Sequence, residues 1–72
     1  MSTESGFTIQ LNGEPYAVGG DARLETLIAS LRFKRGRIAV EINRVVAPKA
    51  EWANVVLRPG DQVEIVNFVG GG

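Results

Sequence analysis

The groups in this chain that can take part in chemistry gather at its far end. The sequence closes with Phe68-Val69-Gly70-Gly71-Gly72. Glycine has no side chain and the widest backbone freedom. A run of three therefore makes a thin, pliable arm, able to enter a channel too narrow for any other residue. The Gly72 carboxylate at its tip is unshielded. A carboxylate is a poor acylating group because oxide is a poor leaving group. Conversion to a mixed anhydride with AMP removes that obstacle, and a sulfur nucleophile can then displace AMP to leave a thiocarboxylate. Gly72 is thus the candidate reactive residue, and Gly70 and Gly71 are the candidate thread into a partner's active site.

Little other chemistry is on offer. The 72 residues include no cysteine and no histidine. That excludes disulfides, thiolate nucleophiles, Cys/His zinc sites and imidazole acid–base catalysis. Eight basic residues offset eight acidic ones, which argues against a dedicated nucleic-acid binder. The one basic cluster, Arg32 to Arg37, reads better as cations at a helix C-terminus than as a nucleic-acid patch with Phe33 stacking. No apolar run approaches the roughly 20 residues of a membrane span. Met1 to Gly6 is polar and short, unlike a secretory signal. The expectation is a cytoplasmic protein with no catalytic or metal-binding side chain, no cofactor of its own, and no nucleic-acid or membrane partner.

The elements that must hold the arm follow from periodicity. Residues 1–5 read as a loose start, 6–68 as the domain and 69–72 as a Gly-rich tail. Phe7, Ile9 and Leu11 alternate with Thr8 and Gln10, the period of a strand with one buried face. Asn12-Gly13 is a strong hairpin signal, and Pro15 to Val18 returns as an edge strand. Leu24, Leu27, Ile28 and Leu31 form one helical stripe. Asp21 is the expected N-cap and Gly36 the expected stop. Ile38, Val40 and Ile42 point inward on the next strand, with Ala39 and Glu41 outward. Asn43-Arg44 turns the chain into a stub at Val45-Val46. Pro48 to Trp52 suggests one helical turn with Pro48 first, and Trp52 as its anchor. Arg58-Pro59-Gly60-Asp61 fits a type II turn. In the closing strand Val63 and Ile65 point inward, and Glu64, Val66 and Phe68 outward.

This order implies an α+β fold: a mixed sheet of four to five strands with one main helix across one face. The expected core is Phe7, Ile9, Leu11, Val18, Leu24, Leu27, Ile28, Leu31, Ile38, Val40, Ile42, Val63 and Ile65. Exposed apolar groups beside a functional end mark a docking surface. Val66, Phe68 and Val69 are therefore assigned to partner docking, with Glu41 and Glu64 as groups that can pair with a partner's cations.

The hairpin–helix–strand order, Ile42 to Trp52 (INRVVAPKAEW), Arg58 to Val66 (RPGDQVEIV) and the closing FVGGG resemble the ThiS sulfur carrier family of thiamine biosynthesis, from about Phe7 to Gly72. The resemblance implies a β-grasp, ubiquitin-like fold with the first and last strands parallel in mid-sheet. It implies that a ThiF-like enzyme, using ATP and Mg, adenylates Gly72. A cysteine desulfurase relay then supplies sulfur, and a ThiG-like thiazole synthase takes it into the thiazole ring. The chain itself acts as a cosubstrate, not an enzyme. Two positions depart from the family pattern: Arg44 stands where glycine is common, and Arg23 where threonine or serine often caps the helix. A MoaD-like carrier for molybdopterin, and a ubiquitin-like modifier or interaction module, are the alternative readings.

Overall fold

The computed structural model describes residues 6–32 and 37–68. Five strands form one mixed sheet: β1 (Phe7–Leu11), β2 (Glu14–Val18), β3 (Arg37–Ile42), β4 (Val45–Val46) and β5 (Gln62–Phe68). Their order across the sheet is β2-β1-β5-β3-β4. Helix α1 (Leu24–Leu31) joins β2 to β3, and a 3-10 helix (Lys49–Asn54) lies between β4 and β5. The expected α+β architecture, with Pro15 on an edge strand, is what forms.

The two hairpins share one device. Asn12 and Gly13 have φ of 51° and 86°, and Asn43 and Arg44 have φ of 51° and 69°. Two successive positive φ values define a type I′ turn, whose twist matches that of the strands it joins. Arg44 thus occupies the left-handed region that glycine takes more cheaply. The Arg58–Asp61 turn also forms as expected, with Gly60 at φ 83° and the Asp61 amide donating to Arg58 O at 3.1 Å.

The strands meet at β5. It pairs antiparallel with β3 from Arg37↔Phe68 to Ile42↔Val63. It pairs parallel with β1 at Gln10↔Gln62 and Leu11↔Val63. Ile9, Val40 and Val63, at most 1 % exposed, floor the core, and Leu24 and Leu27 of α1 close it from above. Of the expected core, Phe7, Leu11, Ile28, Leu31, Ile38 and Ile42 are half-buried around that centre. Leu57 is an addition: it is 2 % exposed, although it belongs to no strand or helix. Its segment is tied down by the Leu24 amide donating to Val55 O (2.9 Å) and the Leu57 amide donating to Ala22 O (2.8 Å). Trp52 is half-buried, as expected of an anchor, and its Nε1–H donates to Ala47 O at 2.8 Å.

The helix ends differ from expectation. The N-cap is Arg23, in extended conformation and making no side-chain cap bond, and not Asp21. Asp21 acts two residues earlier. Its carboxylate accepts from the Arg23 amide (3.0 Å) and guanidinium, and from the Thr26 hydroxyl (2.8 Å). The helix stops at Leu31, with Arg32 left-handed at φ 55°. Gly36 lies outside the described residues, as do Lys34 and Arg35 of the basic cluster. Pro48 is the N-cap of the 3-10 helix and not its first residue, and that helix runs through Asn54.

The Arg23 side-chain bonds, then its backbone amide, then the Thr26 hydroxyl, hold the Asp21 carboxyl far below its ordinary value of 3.8. A depressed carboxylate pKa contributes stability that is present above the unfolded value and lost as pH falls below it. Acid titration followed by circular dichroism should therefore show the native protein losing stability below about pH 4, with Asp21→Asn removing part of that dependence. Leu57→Ala should cost about 2–5 kcal/mol in a denaturant titration, whereas Val56→Ala, at an exposed neighbour, should stay within about 0.5 kcal/mol.

Candidate functional site

Helix α1 covers one face of the sheet, and the opposite face is open. The alternation of β5 puts Val63 and Ile65 into the core and leaves Glu64 and Val66 exposed. On β3 the same alternation buries Val40 and exposes Ala39 and Glu41. Pairing then fixes which exposed groups are neighbours. Glu41 lies directly opposite Glu64, and Ala39 directly opposite Val66. Across β3, Glu41 also faces Val46 of β4. The open face thus carries a Val46–Glu41–Glu64 row beside an Ala39–Val66 row.

Three of the five expected docking residues are therefore gathered on one surface: Val66, Glu41 and Glu64. Val46, 64 % exposed beside Val66 at 52 %, joins them. The sequence marked it only as part of a strand stub, and a two-residue strand is too short for alternation to reveal a face. Phe68 is described here by its backbone, the last residue of β5. Val69 and the tail residues Gly70, Gly71 and Gly72 lie outside the described residues.

The electrostatics of this face are unbalanced. Like charges directly opposite on neighbouring strands repel. Among the described residues the ion pairs join Arg23 to Asp21 and to Glu25, so neither Glu41 nor Glu64 has a cationic partner there. A cation placed between them would relieve the repulsion, and exposed Val46 and Val66 flank that position.

A depression of about 200 Å³, lined by Gln10, Gly13, Gln62, Val63 and Glu64, is smaller than the roughly 300–1,000 Å³ usual for small-molecule pockets. Among the described residues no three His, Cys, Asp or Glu side chains cluster to hold a metal, and no helix is long and apolar enough to cross a membrane.

What does distinguish the site is how β5 is held. β1 ends at Leu11, where the chain turns. The Asn12 side chain continues the pairing: its Oδ1 accepts from the Ile65 amide at 2.8 Å, and its Nδ2–H donates to Ile65 O at 3.3 Å. The Asn43 side chain does the same at the start of the strand. Its Oδ1 accepts from the Gln62 amide at 3.0 Å, and its Nδ2–H donates to Asp61 Oδ1 at 3.1 Å. The strand that leads to the carboxyl end is thus tied by both turn asparagines as well as by its neighbours.

Comparison with known proteins identifies the family and the fold. The ThiS family model matches residues 9–72. Over 64 residues the chain is 42 % identical to a thiazole synthase of Magnetococcus marinus, a match covering 89 % of this chain and 20 % of that protein. It therefore spans about a fifth of that relative's length. Over 65 residues it is 35 % identical to the sulfur carrier protein ThiS of Bacillus subtilis, covering 89 % of this chain and 98 % of that one. The crystal structure of the thiamine biosynthesis protein ThiS from Geobacter metallireducens superposes with a TM-score of 0.75 at 28 % identity, covering 92 % of this chain and all of that one. The fold is the β-grasp that the resemblance implied.

If Glu41 and Glu64 repel each other, Glu64→Gln should raise the thermal unfolding midpoint at low salt. The gain should disappear at about 1 M salt, where the screening length is about 3 Å. Differential scanning calorimetry at both ionic strengths checks this.

Proposed function

The chain belongs to the ThiS family of small sulfur carriers of thiamine biosynthesis, and on that premise we propose that its Gly72 carboxylate is the sulfur-bearing group. The carboxylate oxygen attacks the α-phosphorus of ATP in the active site of a ThiF-like activating enzyme. Pyrophosphate leaves, and an acyl adenylate remains. A hydrosulfide equivalent, released when a thiol reduces the persulfide of a cysteine desulfurase relay and is itself oxidised to a disulfide, adds to the acyl carbon. AMP leaves, and the product is a thiocarboxylate on Gly72. A ThiG-like thiazole synthase then takes the sulfur into the thiazole ring.

In this reading the carrier supplies no catalytic side chain, and ATP and Mg belong to the activating enzyme. Its own contribution is mechanical. The sheet face docks through Val46, Val66 and the Glu41/Glu64 pair, Phe68 and Val69 add to the docking surface, and Gly70 and Gly71 thread the partner's channel. The observation that carries the reading is that the family match extends through the terminal glycines to residue 72, directly beyond the central strand β5. The likeness of this chain to part of a thiazole synthase supports the choice of a thiazole-forming partner over a molybdopterin-forming one.

Intact-mass measurement tests this. Incubated with the activating enzyme, ATP and a sulfur source, the chain should gain the mass difference between sulfur and oxygen, and hydrolysis should remove it. Adding one residue after Gly72 should abolish the gain while leaving the melting temperature unchanged. High-mass conjugates to lysines would favour a modifier instead. Sulfur transfer to a molybdopterin precursor, with none to thiazole synthase, would redirect the pathway.

A further inference from the structure

We infer that Asn12 is a positioning residue for sulfur loading: its side-chain amide sets the heading with which β5 delivers its docking residues and the arm to the activating enzyme. The inference rests on the carrier reading above and adds a residue to it.

The geometry is specific. The Ile65 amide belongs to the peptide unit joining Glu64 to Ile65, and the Ile65 carbonyl to the unit joining Ile65 to Val66. Asn12 bonds to both, at 2.8 and 3.3 Å. One side chain therefore bonds, on the side away from β3, to the two peptide planes from which the outward Glu64 and Val66 depart. These are also the last bonds that β5 makes toward β1, whose backbone pairing ends at Leu11↔Val63. From Val66 to Phe68 the described strand pairing is with β3.

Three residues of strand span roughly 10 Å at ~3.3 Å each. A tilt of about 10° at Ile65 thus moves the strand end by nearly 2 Å over that span. Without the Asn12 clamp, β5 samples several headings, of which a fraction suits the partner. Apparent affinity falls by that fraction, while the bound complex reacts as before.

Asn43 provides a matched control. Like Asn12 it sits at φ 51° in a type I′ turn, so glycine fits either position without backbone strain. Like Asn12 it makes two side-chain bonds, but to Asp61 and Gln62, at the start of β5 and away from the arm. A stabilising role alone makes Asn12→Gly and Asn43→Gly kinetically equivalent once both are folded.

The test measures ATP–pyrophosphate exchange by the activating enzyme with the full chain as variable substrate, well below the melting temperature of each variant. Asn12→Gly should raise KM about tenfold with kcat within about twofold, as expected if about one chain in ten points correctly. Asn43→Gly should leave both within about twofold of the native chain. Amide exchange should quicken at Ile65 in Asn12→Gly alone. Equal KM for the two variants, or an Ile65 amide as protected in Asn12→Gly as in the native chain, would overturn the inference and leave the carrier reading intact. Failure of the native chain to support exchange would remove both.

Discussion

Everything in this domain is arranged around a strand that must be shared. β5 lies between β1 and β3, running parallel to one and antiparallel to the other. Its inward residues Val63 and Ile65 are in the core, and its outward residues Glu64 and Val66 are on the open face. The buried half anchors the strand by the hydrophobic effect, at about 1.5–3 kcal/mol per side chain. The exposed half can then vary without loss of core. In so short a chain, alternation lets one strand of seven residues both anchor in the core and present side chains on the open face.

The asparagines show how local and global demands coincide. Asn12 and Asn43 suit their turns because a short polar side chain tolerates positive φ. Each also reaches β5 with the same amide. The turn chemistry was legible in the sequence; the second use was not, because it depends on contacts 53 and 19 residues away along the chain. The same limit governs the open face. Alternation alone placed Glu41, Glu64 and Val66 outward, but only the register of β3 against β5 makes the two glutamates direct neighbours. Val46 was missed for want of enough strand to show a period.

The remaining misreadings have physical sources of their own. Leu57 was overlooked because residues 55–57 are held by isolated bonds to Ala22 and Leu24, with no repeating pattern. Asp21 has the right chemistry for a cap but stands two residues early, so it fastens the entry to the helix and leaves the cap itself to the backbone of Arg23. The helix stops on an arginine in left-handed conformation where the sequence suggested a later glycine. Where periodic burial decided the structure, the sequence sufficed. Where single bonds between distant segments decided it, only the folded chain reveals the answer.

The parallel pairing of β1 with β5 has a consequence for how the molecule comes into being. The two strands meet only after the intervening hairpin, helix and turns have been laid down, and closing so long a loop is entropically slow to nucleate. A nascent chain that has made β1 through β4 holds Ile9 and Val40 but still lacks Val63 and Ile65, the part of the core that β5 supplies. The sheet is therefore completed in one step, when β5 enters between β1 and β3 and joins its two halves.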